Sequence, residues 1–287
     1  MTHQQADAPF FRIGPQRPAL PVVLSVPHAG RDYSEATLRA SRLPLDKLEM
    51  LEDRLVDRLV WRAADAGATA IIARTPRAEI DLNRHEREID PATIAPPPPS
   101  HGLMQSARTR GGLGLIPARI AGVGSIWLRR LGQDELWKRL EAVHAPYHEA
   151  LDQTLEEVRS IFGAAILLDC HSMPPRSAAS GEAELVFGDR YGTSTSPVFM
   201  DAAIRAAEAA GYRVSRNVPY AGGYITERHG RPERNVHALQ IEIDRSLYLG
   251  DDLREPGPGF DRTAQLLRDV SLALADAASE HHAIAAE

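Results

Sequence analysis

Two hydrophobic periods alternate along this chain, and each change of period marks a predicted element. Short continuous apolar runs at 20–26, 69–73 and 166–168 need cover on both faces and predict buried strands. A later stretch, His237 to Ile243, alternates around Leu239, Ile241 and Ile243 and predicts another strand. Between them the spacing becomes helical. Leu48, Leu51, Leu55 and Leu59 lay one stripe along 46–66, with Gly67 as the stop. Leu136, Leu140, Val143, Tyr147, Leu151, Leu155 and Val158 trace a longer helix over 134–162, which Pro146 should bend. A third helix is opened by Ser196-Pro197 and closed by Gly211, and a last one runs from about Asp261 to the C-terminus.

This alternation, with no repeat of 20–50 residues, predicts an α/β protein with a mixed, mostly parallel central sheet and helices on both faces. One domain is expected over 1–287, with 1–19 as an N-terminal extension. Residues 91–125 fit neither period. With Pro96 to Pro99 and glycines at 111, 112, 114, 122 and 124, they predict a long loop, of the kind that is usually a functional cover or disordered.

The candidate chemistry lies where strands end. The run Ile166-Leu167-Leu168 passes into Asp169-Cys170-His171-Ser172-Met173 before Pro174 and Pro175 forbid further pairing. Alternate strand residues share a face, so Asp169 and His171 point one way and Cys170 the other, as a small core residue. His28 leaves the first strand in Pro27-His28-Ala29-Gly30, Asp53 lies off the stripe of the following helix, and Glu242 sits on the late strand. In open α/β sheets, ligand sites form at the carboxyl ends of strands, where residues distant in sequence converge. Two imidazoles and one carboxylate, with a fourth position left for water, make a common catalytic zinc set. Taken singly, a histidine at a strand end also reads as an ordinary hydrogen-bonded residue, and an acid on a helix surface as a solvated one.

Composition narrows the function. A net charge of −6 argues against a nucleic-acid partner held by bulk charge, so a small acidic substrate would need local arginines. Arg74, Arg77, Arg84 and Arg87 form such a segment, although Glu79, Asp81, Glu86 and Glu88 could neutralise it. No apolar run reaches the ~18 residues of a membrane span, and the N-terminus lacks a signal-like pattern, so a cytoplasmic protein is expected. One cysteine excludes an intrachain disulfide and any multi-cysteine zinc knuckle. His144 and His148 share a helix face, but Pro146 between them and the missing acid favour a surface or packing role. Gly111-Gly112-Leu113-Gly114 lacks the strand and the Gly-Lys-Ser of a phosphate loop. Asn217 to Tyr224 either lines a pocket or forms a turn with aromatic anchors.

Four motifs then occur in order: Ser25-Val26-Pro27-His28-Ala29-Gly30, Ile80-Asp81-Leu82-Asn83-Arg84, Leu168-Asp169-Cys170-His171-Ser172-Met173 and Gln240-Ile241-Glu242-Ile243. Together they resemble the N-formylglutamate amidohydrolase family over roughly residues 20–250. The resemblance implies a zinc exopeptidase (phosphorylase/hydrolase-like) architecture, similar to carboxypeptidases, aspartoacylase and cell-wall amidases. It implies one divalent ion, Zn2+, on His28, Asp53 and His171, with Glu242 as general base. It further implies Asn83 and Arg84 as holders of a substrate carboxylate, to which Arg77 and Tyr224 are added as substrate-binding candidates. Asp169 would support His171 from behind. The carboxypeptidase pattern His-x-x-Glu is absent, since Arg31 stands three residues after His28, and Glu52 and Asp57 remain alternatives to Asp53. The implied reaction is hydrolysis of N-formyl-L-glutamate to formate and L-glutamate, late in histidine degradation. An amidase or carboxypeptidase acting on another N-acyl amino acid or peptide is the main rival, and a non-catalytic carboxylate-binding protein the weaker one.

Overall fold

The computed structural model describes residues 8–176 and 181–285. Residues 1–7 of the expected N-terminal extension and 286–287 of the expected last helix lie outside the described residues. The Cα positions cluster into two compact units. One comprises Arg12–Val26, Asp53–Ile72 and the chain from Ala150 onward, and the other the stretch ending at Phe11, Pro27–Glu52 and Ala73–Glu149.

A seven-stranded sheet is built from β1 (Phe10–Ile13), β2 (Val22–Val26), β3 (Thr69–Ala73), β4 (Ala165–Met173), β5 (Leu185–Gly188), β6 (Val214–Arg216) and β7 (Val236–Asp244). Their order across the sheet is β1-β3-β2-β4-β7-β5-β6. β2 runs parallel to β3 and β4, and β4 parallel to β7. β5 runs antiparallel to β7 and parallel to β6, which makes the sheet mixed but mostly parallel. All nine residues of β4 are buried, because it lies mid-sheet between β2 and β7. Its polar end is buried too, so Asp169 and His171 are not the residues of a solvated strand end. The Phe260–Ala285 helix packs on Pro197–Ala209 and Trp61–Asp65, while Tyr224–His229 packs on β7.

The expected helix over 46–66 is in fact broken. Leu45–Leu48 passes into a 3-10 turn at Glu49–Leu51, the chain opens at Glu52 to Arg54, and helix resumes at Val56–Leu59 and Trp61–Asp65. Leu55, at φ 61° in the left-handed region, restarts it. Asp53 therefore sits in an irregular break rather than on a helix surface. The helix over 134–162 is present as Gln133–Arg139, a π-helical turn at Leu140–His144 and a final segment Ala145–Phe162. The wide turn directly precedes Pro146, which has no N–H to give the regular ladder.

In the other unit, residues 91–125 form short pieces packed on a core rather than a bare loop. Ile94–Ala95 pairs with Leu131–Gly132, and Arg119–Ile120 pairs with Gly124–Ser125. Ile94, Leu115, Ile116 and Ile120 join Leu48, Ile80, Ile126 and Trp127 in one buried cluster. Each large apolar side chain so buried contributes about 1.5–3 kcal/mol, enough to hold a segment with little regular structure. Trp127 Nε1 donates to Pro117 O at 2.7 Å and ties the segment down further. Among the described residues, no helix is long and apolar enough to cross a membrane.

Candidate metal centre and active site

β4 delivers His171 between two carboxylates. Its Nε2 donates to Asp169 Oδ2 at 2.8 Å, and its Nδ1 faces Asp53 Oδ2 at 2.9 Å. Burial works against a charged imidazole here, yet Asp169 and Asp53 outweigh it and hold the His171 pKa well above the usual histidine value. The strand's alternation accounts for the first contact, since Asp169 and His171 lie two apart on one face. The second depends on the helix break, which takes Asp53 out of helical geometry.

A separate network holds His28, two residues past the end of β2. Its Nε2 donates to Asp81 Oδ1 at 2.7 Å. That carboxylate is fully buried and serves four groups. Oδ1 also accepts from Asn83 N at 2.9 Å, and Oδ2 accepts from Arg77 Nε at 2.9 Å and lies 3.7 Å from Arg84 Nη2. Burial penalises the Asp81 charge, but Arg77, Arg84 and His28 together hold its pKa well below the usual carboxylate value. Gly30 completes the turn after His28, where the backbone of Thr75 passes too close for any Cβ.

His28, Asp53 and His171 are all buried, and each offers one donor atom within 4.8 Å of the others. The donor set suits a divalent ion such as Zn2+. Each imidazole gives one nitrogen to a carboxylate, Asp81 or Asp169, the kind of partner that orients a metal-binding histidine. Glu52 does not join this group: it accepts from Tyr33 OH at 2.8 Å. Asp57 is partly buried on the helix restarted after the break.

Glu242 pairs with His171 in the register of β4 and β7, and Gln240 pairs with Asp169. Partners in a parallel register share a face, so the sheet sets Glu242 beside His171. Gln240 Nε2 donates to Glu242 Oε1 at 2.8 Å.

The arginine segment does not act as one cluster. Arg74 pairs with Asp32, and Arg87 Nε donates to Gly102 O. Arg84 is 3% exposed, with Nη1 donating to Asn83 O at 2.6 Å and Nε to Leu113 O at 2.9 Å. Arg77 is the more accessible of the two arginines on Asp81, with 18% of its side chain exposed. Asn83 is buried, and Tyr224 opens a short helix with its hydroxyl accepting from Arg228.

A model described as N-formylglutamate amidohydrolase matches residues 20–249. The chain belongs to the N-formylglutamate amidohydrolase family. It is 30% identical over 236 residues to an N-formylglutamate deformylase of Pseudomonas putida, covering 80% of this chain and 82% of the relative. A second deformylase, from Pseudomonas aeruginosa, is 27% identical, covering 82% and 85%. The crystal structure of an N-formylglutamate amidohydrolase from Ralstonia eutropha JMP134 superposes with a TM-score of 0.85 at 35% identity, covering 96% of this chain and 99% of that one.

Within this family member, sequence reasoning missed several residues at the site. Asp81 stood in a quoted motif only as a possible neutraliser of arginines. The histidines at 144 and 148 are buried, and they hydrogen-bond the carbonyls of Arg84 and Leu82 at 2.9 and 3.0 Å, bracing the backbone of the Asn83-Arg84 motif. Their spacing of four on a helix was the available signal. Arg245 and Ser172, which contact Asp53, carried none.

Proposed function

We propose that this chain hydrolyses the amide bond of N-formyl-L-glutamate to formate and L-glutamate, with one divalent ion, Zn2+, held by His28, Asp53 and His171. The observation that carries this reading is the group of three buried donors, each fixed by its own partners, in a chain of this family. When bound, the ion supplies Lewis acidity to an amide carbonyl and makes water a better nucleophile near neutral pH. Glu242 accepts a proton from the attacking water and returns one to the departing amine nitrogen. Asp81 and Asp169 hold the two imidazoles in one tautomer throughout. Water adds to the formyl carbon, the C–N bond breaks, and formate and the free amino acid leave. The reaction belongs late in histidine degradation, in a cytoplasm that the single, buried cysteine suits.

The test is release of formate by chelator-treated protein before and after Zn2+ is restored. Rate should vanish with the metal and return with it, and His171→Ala should lose tight metal binding. Full activity after exhaustive chelation, or undiminished metal in that variant, would overturn the assignment.

The substrate's carboxylates fall to the pair on Asp81. Arg84 supplies buried charge and Arg77 the accessible guanidinium, whose fork matches a carboxylate better than a lysine ammonium does. Arg77→Lys should lower kcat/KM for N-formylglutamate by about 1.5–3 kcal/mol, the scale of a hydrogen bond to a charged group. The diamide of the substrate should be poor with the wild type and lose little more with the variant. Equal loss on both substrates would mean that Arg77 supports Asp81 rather than reading the substrate.

A further inference from the structure

We infer that Arg245, acting through Ser172, is a positioning residue that confines Asp53 to ligation through one oxygen. The inference rests on the metal-dependent activity proposed above and concerns a contact that lies behind the ligand.

The two oxygens of Asp53 are held differently. Oδ2 faces His171 Nδ1 at 2.9 Å, whereas Oδ1 accepts from Ser172 Oγ at 3.2 Å and lies 3.4 Å from Arg245 Nη2. Arg245 Nε in turn donates to Ser172 Oγ at 3.0 Å, so serine and arginine grip the same oxygen together. His171 and Ser172 are consecutive strand residues whose side chains leave on opposite faces. Asp53 is therefore gripped from both sides of the end of β4, with only Oδ2 turned toward the histidine.

Such a brace is needed because Asp53 lies in the helix break and has no regular element to fix its side chain. Its own backbone is held by Val56 N donating to Asp53 O at 3.2 Å, and the next carbonyl, Arg54 O, accepts from Tyr248 OH at 2.8 Å. The arginine is itself placed with care. At the end of β7, Asp244 Oδ1 accepts from Ser246 N and Oγ at 2.8 and 2.6 Å, while Oδ2 accepts from Arg176 N at 2.7 Å. This locks the turn that carries Arg245, only three residues beyond Glu242. With Oδ1 held by Ser172 and Arg245, Asp53 would offer a cation Oδ2 alone, leaving room for substrate or water.

The experiment is competition for metal between the protein and a chromophoric chelator, with Zn2+ and Co2+ as probes. It is run on the wild type, Asp53→Ala, Arg245→Met, Arg245→Lys and Ser172→Ala, alongside the visible spectrum of each cobalt-loaded protein. Arg245→Met and Ser172→Ala should bind roughly 10- to 100-fold more weakly, as loss of a ligand's outer partner typically does. Their cobalt spectra should shift toward higher coordination number, and Arg245→Lys should recover part of the affinity. Ser172→Ala removes a single atom and keeps the test valid should Arg245→Met fold poorly. Wild-type affinity and spectra in both of these variants, with Asp53→Ala impaired, would overturn the inference and leave Asp53 a ligand. Wild-type metal binding by Asp53→Ala would instead remove Asp53 from the ligand set, and the inference with it.

Discussion

Glu242→Gln is expected to keep its metal and lose roughly 10²- to 10⁴-fold in kcat, the usual contribution of a positioned acid–base group. The substitution preserves shape and removes only the capacity to take up a proton. Register makes the glutamate specific: β4 and β7 run parallel with His171 opposite Glu242, so strand pairing alone brings the carboxylate to the histidine. Gln240, opposite Asp169, holds Glu242 Oε1 at 2.8 Å and would keep a glutamine in the same place. Metal analysis and single-turnover formate release on one preparation decide the matter. Loss of metal would make Glu242 a ligand and demote Asp53. Retained activity would move the base elsewhere, to Glu233 or to Glu227, which is exposed and 3.3 Å from Arg190.

Those parts of the fold that depend on continuous burial could be read from sequence. β2, β3 and β4 read as apolar runs and are buried at every position, whereas β7, read from its alternating apolar residues, is buried at every position but Glu242. β5 and β6 escaped notice because they are four and three residues long, and no period can be seen in so few. The 46–66 helix was misread for a different reason. Its leucine stripe runs unbroken across the gap, but Leu48 belongs to the buried cluster of one unit and Leu59 to the other unit. Each side of the break therefore satisfies its own core, and periodicity carries no trace of the opening that frees Asp53. The strand-end histidines were legible because they sit beside regular elements. Arg245 was not, since it acts across more than 190 residues of sequence through a serine hydroxyl.

Asp81→Asn should destabilise the metal-free protein at neutral pH by about 3–5 kcal/mol, the cost of removing one partner from a buried charge network. Asp81 is wholly buried, and its two oxygens serve His28, the Asn83 amide, Arg77 and Arg84. Asparagine keeps one acceptor but turns an NH₂ toward groups that are themselves donors. Arg84, 3% exposed, is then left without its carboxylate. The pH dependence has a definite sign. Because the folded-state pKa of Asp81 is depressed, its stabilisation is complete above the unfolded value near 3.8 and is lost as pH falls through the lower folded pKa. The gap between wild type and variant should therefore be full at pH 7 and close progressively below about pH 4, where the unfolded wild-type chain takes up the proton. Denaturant titrations of both metal-free proteins across that range measure the gap without any contribution from bound ligand. The same change replaces the carboxylate behind His28 Nε2 with a neutral amide, so zinc affinity should fall by roughly 10- to 100-fold. A variant as stable as wild type at pH 7 would show that the arginines find other partners. Asp81 would then act on His28 alone, and the loss of metal affinity would have to stand without a loss of stability.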